Sequence, residues 1–189
     1  MRKRSGISTL IKLAVLLIVI GLVGFAGYRI QQIRQAGSHS EAVVEVMKNM
    51  IPGLGEDTGI STGKGKDPLP ALSIDNIDIV GCLEIPALDL MVPVTASGIQ
   101  EDGFVSVKSG SPVKGKFRLT GNRDDVFRNL ADAKPGDKVS FTDVEGVRYN
   151  YRVTTQFHLK NWDEADNDLM VCYDTDSQTQ FVLGCSAAE

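Results

Sequence analysis

The chain has 189 residues, of which 20 are basic, 24 are acidic and 42% are hydrophobic. This length allows one ordinary domain with an appendage, and the composition is typical of a globular protein. The charge is uneven, since residues 1–28 carry four basic side chains and no acidic one, which leaves 16 basic and 24 acidic side chains in residues 29–189. Nucleic-acid binding needs a basic surface that releases counterions, so this acidic remainder excludes nucleic acid as a partner.

An uncharged apolar run from Leu13 to Tyr28 predicts a membrane anchor. It extends to Leu10 if Lys12 reaches the headgroups, and about 19 helical residues span about 28 Å, close to a bilayer core. The basic residues before the run place the N-terminus in the cytoplasm and the domain outside the cell. A cleaved signal peptide is the alternative, but no A-x-A cleavage site follows, and the basic flank disfavours a buried soluble helix. We expect an uncleaved single-pass anchor.

The next residues predict a stalk and a linker. Val43, Val46, Met47 and Met50 recur at helical spacing, and Pro52 ends the pattern. The segment that follows is rich in Gly, Pro, Thr, Lys and Asp, which is typical of a flexible linker. We therefore predict three parts, with a boundary near Leu72: a basic tail and anchor over residues 1–28, a helical stalk and linker over 29–71, and a domain over 72–189.

The predicted domain is mainly β. Short apolar or alternating runs are separated by Gly, Pro and Asp turns, and the residues 143–146 predict a hairpin connection. About seven strands with little helix favour a small closed barrel. The main predicted strands are residues 77–85, 88–94, 117–121, 138–141, 147–155, 170–173 and 180–185.

Four segments carry a family resemblance. They are LEIPALDL at residues 83–90, LTGNRDDVFR at 119–128, KPGD at 134–137 and FVLGC at 181–185. In this order they resemble the sortases, cysteine transpeptidases anchored in Gram-positive membranes, and the class D pattern is the most similar. The resemblance implies a sortase-like β-barrel in which the last strand of the family is absent.

The resemblance also implies the chemistry. In the family, T/S-G-H-R-D-x-x-F-R supplies a histidine and T-L-x-T-C supplies the nucleophile, which attacks the Thr–Gly carbonyl of an LPxTG-like sorting signal. An amine from a cell-wall precursor or a pilin then resolves the thioacyl intermediate. By this pattern Cys185 stands at the nucleophile position and Asn122 at the histidine position. The family's arginine lies on the strand about ten residues after the cysteine, and the chain stops at Glu189.

These positions predict an impaired enzyme. A carboxamide does not titrate near pH 7, so Asn122 cannot shuttle the proton that a histidine would. His39 lies in the predicted stalk, and His158 is interpreted as a surface or strand-end residue rather than a replacement. A non-catalytic module that binds sorting-signal peptides or a partner protein is the alternative function. Cys82 and Cys172 lie in apolar runs and are interpreted as core residues.

No cofactor is expected. The acidic run from Asp163 to Asp168 raises calcium as an alternative, because carboxylates are preferred calcium ligands. The run lacks the glycine and the terminal glutamate of a known calcium loop, so a solvated acidic loop is favoured. Its neighbour Trp162 is interpreted as either a hydrophobic plug or part of a substrate wall.

Overall fold

The computed structural model describes residues 39–51, 54–55, 65–96, 98, 101–160, 166–176 and 179–188. The predicted anchor and the first part of the predicted stalk lie outside these ranges. No helix among the described residues is long and apolar enough to cross a membrane. Residues 37–189 form one compact unit.

The described part of this unit is mainly β, as predicted, but it has nine strands rather than about seven. The prediction missed β1 and β4, because β1 has three residues and the glycines and serines around β4 resembled a loop. The strands are β1 (Leu72–Ile74), β2 (Ile77–Ile85), β3 (Leu90–Thr95), β4 (Val105–Ser111), β5 (Gly115–Thr120), β6 (Lys138–Asp143), β7 (Arg148–Leu159), β8 (Leu169–Asp174) and β9 (Gln180–Ala187).

The strand order is β1-β2-β3-β4-β5-β8-β9-β7-β6, and β6 also pairs with β2. Pairing is therefore continuous from β2 around to β6 and back to β2. Two neighbouring pairs are parallel, β3 with β4 and β5 with β8, and the others are antiparallel. The parallel β5–β8 pair places the carboxyl ends of both strands side by side.

Alternation along the strands divides the side chains between an inner and an outer face. In β9, Phe181, Leu183 and Cys185 belong to the main core cluster, whereas Val182 belongs to a separate outer cluster. The main core also contains Phe117, Phe127 and Phe141, all nearly inaccessible to solvent. Burial of these aromatic side chains supplies much of the hydrophobic stabilisation.

A helix over residues 39–50, which we call α1, confirms helical structure in the part of the predicted stalk that is described. It packs on the strands rather than extending away from them. Val43 and Met47 of α1 form a buried cluster with Ile79, Cys82 and Phe104. The sequence pattern predicted the helix but not this contact, because an apolar stripe does not identify the surface that covers it.

Two methionines of α1 test this packing. Met47 is fully buried and Met50 is 54% exposed, so the same substitution samples opposite sides of one helix. We expect Met47→Ala to lower the free energy of unfolding by about 2–5 kcal/mol and Met50→Ala to change it by less than about 0.5 kcal/mol. Urea unfolding measures both variants, and equal small effects would show that α1 does not pack on the strands.

Candidate functional site

The segment after β5 begins with a tight turn around Asn122. The Asn122 side-chain oxygen accepts a hydrogen bond from the Asp124 backbone N–H at 2.9 Å, and its backbone oxygen accepts one from Phe127 at 2.9 Å. Phe127 is buried against Gly121, where a Cβ atom would come within 2.6 Å of the aromatic ring. The segment after β5 therefore forms an ordered turn that presents Asn122 at the surface.

Asn122 lines a cavity of about 540 Å³ at the carboxyl ends of β5 and β8. Among the described residues that line the cavity, four carry a carboxylate and one is a cation, so its character is acidic. Arg123, the cation, lies with its guanidinium carbon 5.8 Å from the centre of the Tyr173 ring. The other lining residues are Glu101, Asp102, Phe104, Ser106, Thr120, Gly121, Asp124, Asp174 and Thr175.

The structure does not bring Cys185 to this cavity. Cys185 lies on the inner face of β9, opposite Val153 and Leu169, and is fully buried in the main core. Burial alone raises the pKa of its thiol to about 12. This thiol does not reach the edge of the fold, because β9 continues to Ala187 and alternation turns position 185 inward.

Cys172 is the cysteine that lies beside Asn122. On β8 it pairs with Thr120 of β5, and its carbonyl oxygen accepts a hydrogen bond from the Gly121 N–H at 3.1 Å. Its side chain is on the outer face, with Met170 and Val182, and its Sγ donates to the Leu119 carbonyl at 2.9 Å. The interpretation of Cys172 as buried holds, but it is buried on the face that carries the cavity.

One cross-strand row connects this thiol to the cavity wall. Ser106 of β4 pairs with Thr120 of β5, which pairs with Cys172 of β8. Ser106 and Thr120 both line the cavity. The thiol is fully buried, and burial, the largest effect, raises its pKa to about 12. At pH 7 about one such thiol in 10⁵ is therefore ionised.

The sequence contained a signal for this cysteine. Leu169-Met170-Val171-Cys172 reproduces the leucine and the cysteine of T-L-x-T-C at their spacing, whereas residues 181–185 reproduce only the cysteine. A strand also follows Cys172, since β9 begins at Gln180, eight residues further on. Gln180 pairs with Asp174 across the β8–β9 hairpin, and its Nε2 donates to the Asp174 carboxylate at 2.5 Å.

The two histidines lie elsewhere. The His39 ring lies 5.7 Å from the ring of Phe104, which lines the cavity, and the ring of the exposed His158 lies 5.6 Å from the ring of Phe181. Neither is among the residues that line the cavity. The described part of the cavity wall therefore offers carboxylates, hydroxyls and amides, but no imidazole.

The suggested calcium loop lies partly outside the described residues, which exclude 161–165 and therefore Trp162. Asp166 forms an ion pair with Lys116 at 3.5 Å, and Asp168 accepts a hydrogen bond from the Ala187 N–H at 2.8 Å. Across the described ranges, no group of three or more acidic, His or Cys side chains is placed to hold a metal ion. Calcium binding stays an untested alternative.

Comparison with known proteins identifies the class. A model of the sortase domain matches residues 83–186, more than half of the chain. The chain therefore belongs to the sortase family. Among curated proteins, sortase A of Bacillus anthracis is 31% identical over 90 residues, which are 43% of this chain and 42% of that relative. The chain thus matches less than half of the length of this relative.

Solved structures agree on the fold. A sortase D5 transpeptidase from Clostridium perfringens superimposes with a TM-score of 0.51 at 15% identity, over 59% of this chain and 80% of that one. Sortase A from Corynebacterium diphtheriae gives 0.51 at 16% identity, over 89% and 96%. These identities are too low to indicate a shared function, but the superpositions show that the mainly β architecture is a sortase fold.

The thiols provide a pH test. Because burial raises the pKa of both Cys172 and Cys185 to about 12, ionisation should increase about tenfold per pH unit up to pH 9 and beyond. We expect iodoacetamide labelling of the native chain, followed by peptide mass mapping, to show no plateau below pH 9 at either residue. A plateau near or below pH 7 at one cysteine would reveal an activated thiolate there.

Proposed function

We propose that this protein is a membrane-anchored sortase-family protein that retains a sorting-signal binding site but is impaired as a cysteine transpeptidase. The acidic, polar cavity beside Asn122 is the observation that carries the proposal. The apolar run at residues 13–28 supports the anchor, with the N-terminus cytoplasmic and the domain extracellular. Protease treatment of intact cells tests this topology, because it should degrade the domain and spare the basic tail.

We infer that Cys172, rather than Cys185, stands at the family's nucleophile position. Three observations support this. Leu169 and Cys172 have the spacing of the family's leucine and cysteine, Cys172 pairs with the strand that leads to Asn122, and a further strand, β9, follows the one that carries Cys172. By the same pattern Gln180 stands close to where the family carries its arginine. The chain then keeps the strand that follows the cysteine, and the continuous pairing from β2 to β6 supports a small closed barrel.

Three substitutions then account for weak catalysis. Asn122 cannot donate or accept a proton near neutral pH, and loss of a general acid or base typically costs about 10²- to 10⁴-fold in rate. Gln180 cannot stabilise an oxyanion with a positive charge, as the arginine of the family would. The position before the cysteine is Val171 in place of threonine. With no imidazolium nearby, the buried thiol stays neutral.

Binding does not need an imidazole, a guanidinium or an ionised thiol. The cavity wall combines hydroxyls of Ser106 and Thr120 with the carboxamide of Asn122, groups that can hydrogen bond an extended peptide. Its carboxylates also favour an amine, the kind of acceptor that completes a sortase reaction. The proposed partners are therefore sorting-signal peptides of surface proteins and an amine from a cell-wall precursor or a pilin, with no cofactor.

A fluorescent LPxTG-containing peptide tests binding and turnover together. We expect saturable binding by anisotropy, no thioacyl adduct by intact mass, and unchanged binding in Cys172→Ala. Loss of one hydrogen bond in Asn122→Ala should weaken binding about fivefold. Asn129→Ala is the matched control, since Asn129 is exposed and its side chain makes no capping hydrogen bond. Absence of binding contradicts the proposed module, and a trapped adduct supports an active transpeptidase.

Restoring the family residues tests the assignment of the cysteine. In Asn122→His with Gln180→Arg, an imidazolium and a guanidinium next to β8 should stabilise the thiolate. We expect labelling at pH 7 to rise at least tenfold at Cys172 and to stay unchanged at Cys185. Asn122→His alone should give no measurable transpeptidation, because the arginine is still missing.

The control is Asn122→Gln with Gln180→Arg, which adds the cation without the imidazole. Labelling that rises at Cys185 instead of Cys172 would contradict our assignment and favour the position taken from the sequence.

A further inference from the structure

We propose that Asp125 is a positioning residue that holds together two walls of the cavity at Asn122 and thereby sets the shape that a peptide meets. This inference rests on the proposed function, because it concerns the same cavity. One wall is formed by residues 101–104, all of which except Gly103 line the cavity, and we call it the loop wall. The other is formed by residues 120–124, and we call it the turn wall.

A hydrogen bond connects the two walls. The Gly103 backbone N–H donates to Asp125 Oδ2 at 2.5 Å, and the contact is partly buried. Asp125 follows directly after the turn wall, whereas Gly103 lies within the loop wall. A hydrogen bond to a carboxylate is stronger than one between neutral groups. The distance between the loop wall and the turn wall is therefore fixed at this point.

The conformation of the loop wall presents this N–H. Gly103 has a φ angle of 85°, in the left-handed region, and the Phe104 N–H donates to the Glu101 carbonyl at 3.2 Å, which closes a turn. The Phe104 side chain is buried in one cluster with Met47 of α1. The loop wall is thus held to α1 through Phe104 and to the turn wall through Gly103.

Repulsion between carboxylates opposes this arrangement. The loop wall carries Glu101 and Asp102, and the turn wall carries Asp124 next to Asp125. Burial, the largest effect, and the negative charge of Asp102 both raise the pKa of the Asp125 carboxyl. Like charges at short range push the two walls apart, and the hydrogen bond to Asp125 offsets this repulsion. Without that bond the cavity widens.

Asp125 acts on binding through the walls rather than by touching the ligand. It is not among the described residues that line the cavity. A preformed cavity binds more tightly, because ordering a loop on binding costs free energy. Loss of this order shortens the lifetime of a complex more than it slows association. Removal of the Asp125 carboxylate should therefore weaken peptide binding mainly through faster dissociation.

Hydrogen exchange of the free protein tests the contact without any ligand. In Asp125→Ala, exchange of the backbone amides of residues 101–104 should rise at least tenfold, because Gly103 loses its acceptor. Asp125→Asn keeps an acceptor oxygen and should stay close to the wild type. Asp132→Ala removes an exposed carboxylate outside both walls and should change nothing there. Asp125 is only half-buried, so we expect each variant to fold, which urea unfolding verifies.

The fluorescent LPxTG-containing peptide then tests the effect on binding. We expect Asp125→Ala to weaken binding about tenfold, Asp125→Asn to bind at least fourfold more tightly than Asp125→Ala, and Asp132→Ala to match the wild type. Unchanged exchange at residues 101–104 in Asp125→Ala would overturn the inference, as would equal affinity of Asp125→Ala and the wild type. Absence of peptide binding by the wild type contradicts the proposed function instead, and the exchange measurement then decides whether Asp125 joins the two walls.

Discussion

The candidate site depends on the parallel pairing of β5 with β8. Two parallel strands end at the same edge of a sheet, so whatever follows β5 lies beside the end of β8. In this protein the register places Thr120 next to Cys172 and continues with the hydrogen bond from the Gly121 N–H to the Cys172 carbonyl. Asn122, fifty residues before Cys172 in the sequence, is thereby held beside the end of β8. A pairing shifted by one residue would turn Cys172 inward.

The same alternation explains why the three buried cysteines have different surroundings. All three are fully buried, and burial raises the pKa of each thiol. Cys82 lies beneath α1 and Cys185 lies among the apolar side chains of the main core. Cys172 alone of the three belongs to the row of outer side chains that includes two residues of the cavity wall. The face of the sheet on which a thiol lies, rather than its burial, therefore distinguishes a candidate nucleophile from a structural thiol.

Much of this fold could be predicted from the sequence, because apolar alternation and turn residues act locally. The hairpin at residues 143–146, the strand before Asn122 and the final strand are all where the pattern placed them. The face on which each cysteine lies could not be predicted, because strand pairing is set by partners distant in sequence. Gly184-Cys185 resembled a damaged motif near the end of the chain, and under our proposal the motif at residues 169–172, one strand earlier on β8, takes its place. The packing of α1 and the Glu84–Arg148 pair also join residues that no local pattern connects.

The two faces of the sheet place different constraints on their side chains. Inner residues such as Phe117, Leu119 and Leu183 are constrained by close packing, where loss of volume costs several kcal/mol. Asn122 and Gln180 lie outside that core, at the ends of β5 and β9, where a change of side chain alters proton transfer and charge without opening a cavity. The Asn122 side chain accepts a hydrogen bond within its own turn, so an asparagine at this position keeps the local structure ordered. Under the proposed function, the inner face carries the stability and the residues at the strand ends carry the chemistry, so impaired catalysis does not require an unstable fold.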